Sequence, residues 1–278
     1  MTISLIVLFF LCKKKFPVLL ASSITLLYIL SLAATWAEPQ TDNFRMTAVD
    51  VGQGQCILLQ SKNQAYLVDC GGGNPERTAE AALKAMGAQG IRKLDGLILT
   101  HYDEDHSNGA EYLIQVMDVD TLYLPDTEPA SDIRYRLSRQ KTPVCWVREN
   151  QELPCGKGNI CLLPTKNVTE NNESSMCILF QTENCAILIT GDRNTEGEIR
   201  LLEEDRIGKV DVLVVGHHGA DTSTGKEFLE ATQPDIAVIS VGKDNYYGQP
   251  HSSTLQRLSW FGCQIRRTDL EGTIIIRG

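Results

Sequence analysis

The chain has 278 residues, of which 22% are charged and 42% hydrophobic, proportions ordinary for a globular protein that exclude a disordered or fibrous chain. Its formal net charge is −9, and after the three lysines at 13–15 it carries 23 basic against 35 acidic side chains. This acidic balance counts against a nucleic-acid surface built from lysine and arginine. Nine cysteines are present without a Cys-x-x-Cys pair, which argues against a zinc ribbon.

The N-terminal segment predicts a membrane anchor. Residues 16–36 are uncharged and mainly apolar, and as a helix they would span roughly 30 Å, about one hydrocarbon core. Because lysines 13–15 precede this run, the positive-inside rule places them in the cytoplasm and the chain after residue 37 outside the cell. The apolar residues 2–12 are too short to span and resemble the end of a preceding membrane helix, as though a larger membrane protein continued upstream.

This part of the chain is therefore expected to divide into short stretches before one large domain. A secretory signal sequence cleaved after Ala37 is the alternative to an uncleaved helix. The predicted segments are a short apolar and basic stretch over 1–15, a transmembrane helix over 16–37, a linker over 38–43 and a domain over 44–278.

Apolar periodicity after residue 43 predicts strands and helices in two groups. Residues 143–175 between the groups are poorly periodic and receive no element. Two hairpin-rich halves, each with helices, predict an α/β fold in which two sheets pack face to face with helices outside. The predicted strands are 44–50, 56–60, 65–69, 94–100, 121–125, 176–180, 186–190, 210–215, 235–241, 264–268 and 273–277, and the predicted helices are 75–89, 110–117, 131–140, 196–204, 225–232 and 253–261.

The segment 101–106 concentrates metal-binding side chains between a predicted strand and a predicted helix. It contains His101, Asp103, Asp105 and His106. Two imidazoles and two carboxylates cannot be buried together unpaired without a large desolvation cost, and a cation among them removes that cost. The alternative is a solvated acidic loop that happens to contain two of the five histidines.

Other polar residues also follow predicted strands. Asp69 precedes glycines that allow close approach of backbone, and its carboxylate could orient a ligand histidine from behind or form a simple Asx turn. Asp192 ends another apolar strand, where a carboxylate can bridge two cations. His217 and His218 lie between glycines after a buried strand, and their alternative is one core histidine beside one surface histidine.

A polar loop follows the predicted strand 235–241. Its Lys243 and Asn245 offer donors suited to a phosphate or a developing oxyanion, so they are candidate catalytic residues, although a plain turn explains them as well. All these positions follow strands. If the strand ends meet at one edge of a sandwich, they form a single cleft.

The ordered set of motifs resembles the metallo-β-lactamase fold and, within it, the C-terminal domain of ComEC-type competence proteins. The resemblance covers residues 44–278, and the series is much more specific than any one motif. In that family the domain follows membrane helices, in agreement with residues 16–36. The segments that carry it are 49–54, 68–72, 100–109, 190–192, 216–219, 247–250 and 267–272.

The resemblance implies an αββα sandwich and a two-metal hydrolase of the phosphodiesterase type. It implies that His101 and Asp103 hold one metal, that Asp105 and His106 hold the other, and that Asp192 bridges them. His217 or His218 would complete the second position, and Asp105 would also accept a proton from the attacking water.

Several positions depart from the family pattern. Asp103 stands where many members of the fold have histidine, and an oxygen ligand shifts the preference from zinc towards manganese. The third metal-binding histidine of the wider fold has no counterpart, since no histidine lies between His106 and His217. Gln55 and Gln249 stand where aspartate and histidine are usual.

The function implied is degradation of one DNA strand during natural transformation by an extracytoplasmic domain at the cell membrane. Its partners would be single-stranded DNA, the membrane, a membrane DNA channel and other competence proteins, and its cofactors two zinc or manganese ions. Two alternatives remain open. The domain could hydrolyse small phosphodiesters or wall phosphocholine groups, which its acidic charge favours, or it could guide DNA without catalysis.

Overall fold

The computed structural model describes residues 16–41, 43–165, 174–205 and 207–278. The predicted segment 1–15 lies outside these ranges. The chain divides into two compact units after Thr41. In the first, helix α1 covers Phe16–Thr41. Among the described residues no helix combines the length and the apolar character needed to cross a membrane, so the predicted transmembrane helix is not confirmed.

The second unit is a sandwich of two seven-stranded sheets. The first sheet has the order β16-β1-β2-β3-β5-β7-β8, in which β3, β5, β7 and β8 run parallel. A short parallel pair, β4 with β6, lies apart from it. The strands concerned are β1 Arg45–Ala48, β2 Ile57–Ser61, β3 Gln64–Val68, β4 Lys93–Leu94, β5 Gly96–Ile98, β6 Asp118–Val119, β7 Leu122–Pro125, β8 Val144–Val147 and β16 Ile274–Arg277.

The second sheet has the order β15-β14-β13-β12-β11-β10-β9, with β12 to β15 parallel. Its strands are β9 Gln151–Cys155, β10 Gly158–Leu163, β11 Cys177–Gln181, β12 Ala186–Ile189, β13 Val212–Val214, β14 Ile236–Ile239 and β15 Gln264–Arg267.

Helices cover the outer faces of both sheets. Beside the first sheet α2 begins with Pro75 after the Asn74 cap, whose side chain accepts a hydrogen bond from the Arg77 N–H. The helices after α1 are α2 Pro75–Ala88, α3 Glu104–Ser107, α4 Ala110–Val116, α5 Asp132–Ser138, α6 Thr195–Asp205, α7 Lys226–Thr232, α8 Ser252–Trp260 and α9 Thr268–Glu271.

The strands read as continuous apolar runs because both faces of each sheet are covered. In β2, Ile57 and Leu59 point into the core between the sheets, while Leu58 packs outside with residues of α2 and α4. In β12, Leu188 likewise packs on the outer side with residues of α6 and α7. This is the predicted αββα architecture, and that part of the fold prediction is confirmed.

Residues 143–175 differ from the expectation, since three strands, β8, β9 and β10, lie within this range. β9 and β10 lie at one end of the second sheet and are joined by a turn at Gly156. In β9 only alternate residues are buried, and the strand contains Pro154, which an edge strand tolerates. The weak apolar signal of an edge hairpin explains why no element was predicted there.

Candidate metal centre

The predicted site residues lie where the carboxyl ends of strands from both sheets meet. Asp69 directly follows β3, and His101 lies three residues after β5. From the second sheet, Asp192 follows β12 and the turn Gly216–Gly219 follows β13. Parallel strands bring their carboxyl ends to one edge, so residues distant in the chain share one cleft.

Glycine allows the 101–106 segment to approach the first sheet. A Cβ on Gly71 would lie 2.2 Å from the backbone nitrogen of His106, so no other residue fits there without a shift. The Cys70 N–H donates to the His106 carbonyl at 2.9 Å, and the Gln55 N–H donates to the Asp105 carbonyl at 2.9 Å. The backbone of the predicted metal-binding segment is therefore fixed by the strand behind it.

Asp69 is fully buried behind the histidines and accepts four hydrogen bonds. Its Oδ1 accepts from the Thr100 N–H at 2.7 Å. Its Oδ2 is 2.8 Å from the Thr100 hydroxyl, the Gln55 side-chain amide and His106 Nδ1. The residue sits behind His106 as the sequence predicted, and Gln55, an exception to the family pattern, donates to the same carboxylate.

These contacts determine which nitrogen of each imidazole carries hydrogen. His106 Nδ1 faces the Asp69 carboxylate, which can only accept, so Nδ1 carries the hydrogen. His218 Nδ1 lies 2.8 Å from the Ser240 carbonyl oxygen and carries a hydrogen for the same reason. The Thr100 hydroxyl donates to Asp69 and so accepts from His101 Nδ1 at 3.0 Å. In the neutral form, which is the form that binds metal, all three imidazoles direct the Nε2 lone pair towards the cleft.

The centre of the cleft consists of acceptors without donors. His106 Nε2 lies 3.2 Å from His218 Nε2 and 3.0 Å from Asp192 Oδ1. Within the described part of the chain, the buried atoms His101 Nε2 and Asp192 Oδ1 have no hydrogen-bond partner. Lone pairs and carboxylates at these separations repel each other unless positive charge lies between them. The donor set therefore fits divalent cations.

The close packing of imidazoles and carboxylates shifts the pKa values of three of these side chains. Burial opposes ionisation of His106, but without a cation in the cleft the carboxylates of Asp192 and Asp69 raise its pKa well above the ordinary value, so a proton on Nε2 would then take the place of a metal beside Asp192. Burial also acts against ionised Asp105, but His218 and His106 lower its pKa to about 2. The pKa of Asp192 lies well below the usual range because nearby imidazoles outweigh its burial. Both aspartates are carboxylates at neutral pH, the form that binds metal.

Asp192 divides the remaining ligands into two groups. Its Oδ2 lies 3.9 Å from His101 Nε2 and 3.7 Å from His217 Nε2. His101 Nε2 is also 3.6 Å from Asp103 Oδ2. On the other side, where Oδ1 faces His106, the ligand atoms of Asp105, His106 and His218 lie within 4.8 Å of one another.

The turn that carries His217 and His218 has an unusual backbone. Both histidines adopt left-handed conformations, with φ of 49° and 52°. The two side chains consequently separate, and His218 is buried while His217 keeps 29% of its side-chain surface exposed. The sequence left open which histidine completes the second position, and the structure groups His218 with Asp105 and His106, whereas His217 Nε2 lies near Asp192 Oδ2.

Lys243 and Asn245 both lie on the loop after β14, but their surroundings differ. Lys243 is exposed. The Asn245 amide donates to the carbonyls of Gly242 and Gln249 and accepts from the Gln249 N–H. Its polar atoms are occupied within the loop, so the structure does not support the prediction that Asn245 acts as a donor to substrate. It supports the simple turn that was the alternative.

Sequence reasoning missed several residues around the centre. Thr100 connects Asp69 to His101, and Ser240 receives the His218 hydrogen bond through its carbonyl. The Ser175 hydroxyl accepts from the Asp192 N–H at 3.2 Å. Gln249, already noted in the sequence as a departure from the family pattern, donates from its side chain to the His217 carbonyl at 3.1 Å. Of the missed residues, only the position of Thr100, directly before the 101–106 segment, offered a signal in the sequence.

Comparison with known proteins places the domain among metal-binding folds. Residues 49–150 match the family described as the metallo-beta-lactamase superfamily. The metallo-beta-lactamase fold protein YhfI from Bacillus subtilis superposes with a TM-score of 0.59 at 14% identity, over 85% of this chain and 100% of that one. At this identity the likeness shows a shared fold.

Two curated relatives match most of the chain. ComE operon protein 3 of Bacillus subtilis is 32% identical over 250 residues, which cover 82% of this chain and 32% of that protein. Competence protein ComA of Neisseria gonorrhoeae is 31% identical over 238 residues, which cover 82% of this chain and 31% of that protein. The chain thus spans about a third of the length of these relatives.

Proposed function

The chain is a homologue of these competence proteins and carries a metallo-beta-lactamase superfamily domain, and from this premise we propose that it is a metal-dependent phosphodiesterase that cleaves DNA. The observation that carries the proposal is the cluster of imidazole Nε2 atoms and carboxylates with no donor among them. Such a cluster is costly to bury for any purpose other than holding cations.

We propose two metal positions on either side of Asp192. His101, Asp103 and His217 would hold the first cation, with Asp192 Oδ2 facing them. Asp105, His106 and His218 would hold the second, with Asp192 Oδ1 facing His106. His217 in this role compensates for the histidine that the wider fold supplies and this chain lacks.

The bound cations and the nearby side chains would have different roles in cleaving the phosphodiester. A bound pair of divalent cations lowers the pKa of a water molecule and neutralises charge on the phosphoryl group. Asp105 lies at the entrance, with 34% of its side-chain surface exposed, and can receive a proton from the attacking water. Its pKa of about 2 makes it a weak base, so binding metal is its main contribution. Lys243 would contact phosphate from the exposed loop.

The ligand set suits zinc or manganese. Four of its seven side chains are imidazoles, which suit zinc, and three are carboxylates, which suit manganese.

We further propose that the domain acts outside the cell on one strand of incoming DNA. The uncharged run 16–36 behind three lysines supports an anchor at the cell membrane, beside a DNA channel and other competence proteins. A phosphatase reporter fused after Gly278 should be active only if that end lies outside, and an inactive fusion would contradict the orientation.

Cleavage by the purified full chain tests the function. With Mn²⁺, the protein should cut a fluorescently labelled single-stranded oligonucleotide, and EDTA should stop it. Asp103→Ala removes an oxygen ligand of the first position and should lower the rate at least a hundredfold. Asp118→Ala, an exposed aspartate on β6, is the matched control and should cleave normally. A fully active Asp103→Ala variant would show that the site is misassigned.

Two further measurements separate the alternatives. A DNA enzyme should have a lower KM for oligonucleotides than for bis-p-nitrophenyl phosphate, whereas an enzyme for small phosphodiesters or wall groups should not. Less than one equivalent of metal in freshly purified protein, with no cleavage of either substrate, would favour a non-catalytic DNA-guiding domain.

A further inference from the structure

Two neighbouring tyrosines project into solvent from the loop after β14. Tyr246 is 98% exposed and Tyr247 is 68% exposed. Their ring centroids lie 6.0 Å apart with the planes at 83°, so one ring presents its edge to the other. An aromatic ring with almost all its surface in water leaves both faces open to a partner.

Hydrogen bonds within the loop that carries these rings connect its two ends. The Asn245 side-chain amide donates to the carbonyls of Gly242 at 3.0 Å and Gln249 at 2.6 Å, and its oxygen accepts from the Gln249 N–H at 3.0 Å. These bonds close the loop at both ends around the tyrosines. The rings are therefore presented on a fixed turn, which reduces the entropy lost when a ligand binds them.

The loop is also bound to the candidate metal centre. The Gln249 side chain donates to the carbonyl of His217, and the His251 N–H donates to the carbonyl of Gly219 at 2.8 Å. Gln53, from the loop after β1, donates to the Gln249 side chain at 2.7 Å. Only one residue separates Tyr247 from Gln249, so their Cα atoms are at most about 7 Å apart. The backbone that carries the rings therefore lies close to the turn that carries His217.

We propose that Tyr246 and Tyr247 form a stacking platform for unpaired bases of a single DNA strand whose backbone enters the metal centre. The proposal deepens the phosphodiesterase function proposed above and rests on it. Bases stack on aromatic rings whatever the sequence, because every base has a π-face. Lys243 on the same loop supplies a cation for a neighbouring phosphate.

The charge of the chain favours this mode of binding over duplex binding. At a net charge of −9, the protein lacks the excess of lysine and arginine from which duplex-binding surfaces gain affinity. Single-strand binders add base stacking on aromatic rings to the attraction of a cationic surface, and on this loop the two rings lie close to the exposed Lys243. In a duplex the bases are already stacked on one another and their faces are closed to the platform. The two rings should therefore bind single strands in preference to duplex DNA.

Binding without metal tests the platform separately from catalysis. The full chain is treated with EDTA and titrated into a labelled single-stranded oligonucleotide of mixed sequence, with fluorescence anisotropy as readout. Tyr246→Ala and Tyr247→Ala should each weaken binding about five- to a hundredfold, the usual loss for one base stack. Tyr246→Phe and Tyr247→Phe keep the ring and should bind within about twofold of the unaltered protein.

Tyr135→Ala is the matched control, since Tyr135 is 63% exposed on α5, and it should bind normally. A Tyr246→Ala/Tyr247→Ala double variant with unaltered melting temperature and unaltered binding would overturn the proposal. A change of oligomeric state in that variant, without loss of oligonucleotide binding, would overturn it in favour of a contact between two copies of the chain. Failure of the phosphodiesterase proposal would appear as the absence of cleavage of any substrate. The binding measurement would still show whether the two tyrosines bind single-stranded DNA.

Discussion

At the scale of single residues, one buried carboxylate sets the tautomers of two imidazoles. Asp69 accepts directly from His106 Nδ1, and through the Thr100 hydroxyl it also determines the hydrogen bond of His101 Nδ1. Its own backbone is left-handed, with φ of 59°, a conformation that costs free energy in most residues. The surrounding hydrogen bonds offset that cost and aim the carboxylate at the histidines.

Asp69→Asn should therefore weaken metal binding without removing a ligand. The amide can present a hydrogen instead of a lone pair to His106 Nδ1, which disturbs the orientation of the ring. Loss of such an indirect contact typically lowers metal affinity 10- to 100-fold. Titration with Mn²⁺ by calorimetry would measure the change, with Asp118→Asn as control. Unchanged affinity would mean that Asp69 does not orient the ligands.

At the scale of secondary-structure elements, α6 and α7 are joined through a buried glutamate. Glu198 in α6 accepts from the N–H groups of Thr224 and Gly225, directly before α7 begins. Burial raises its pKa from 4.5 to about 7, although these two hydrogen bonds act in the opposite direction. The folded protein thus holds a proton on Glu198 more tightly than the unfolded chain does.

The sign of the pH effect follows from that shift. The stabilisation due to protonated Glu198 is complete below pH 4.5 and is lost as pH rises through about 7, at most about 3 kcal/mol in all. Glu198→Gln cannot ionise. The melting temperature of the unaltered protein, measured relative to Glu198→Gln, should therefore fall between pH 4.5 and pH 7. A difference that stays constant over this range would contradict the raised pKa.

The elements also show how far the sequence could predict the structure. The central strands β3, β5, β12 and β13 were predictable because their apolar runs stop at polar residues beside glycine or histidine. Edge strands such as β9 were not, since only alternate residues are buried there. The separation of the two histidines after β13 depends on their left-handed backbone angles, which residue types and spacing do not reveal.

The sequence likewise predicted part of the candidate site. It placed the segment 101–106, Asp69 and Asp192 at strand ends, and the structure brings them together. It gave no sign of the surroundings of Asn245, whose side-chain amide forms three hydrogen bonds within its own loop. Local composition reveals the ligand types, whereas hydrogen-bond partners across the fold decide which of them face the cleft.

At the scale of the whole molecule, the candidate ligands are divided between the two sheets. His101 and His106 follow a strand of the first sheet, whereas Asp192 and His218 follow strands of the second. Cations held by both sets would connect the halves of the sandwich at one edge. Because ligands bind only the folded form with this geometry, metal binding adds to the free energy of unfolding.

Removing metal should consequently lower the melting temperature. At a free Mn²⁺ concentration 100 times Kd, binding contributes about 2.7 kcal/mol, which corresponds to roughly 5–10 °C for a domain of this size. Scanning calorimetry with Mn²⁺ and with EDTA measures the shift, and Asp192→Ala should reduce it sharply. Equal melting temperatures in both buffers would contradict cations shared by the two sheets.

Because the candidate ligands lie far apart in the sequence, they are synthesised at different times. A ribosome makes the 101–106 segment first, and at least 85 further residues are added before Asp192 is made and more still before His218. A chain that ends before Asp192 therefore carries only the first set of ligands and no residue to join two cations. The proposed nuclease can become active only after β13 of the second sheet and the turn that follows it have been synthesised.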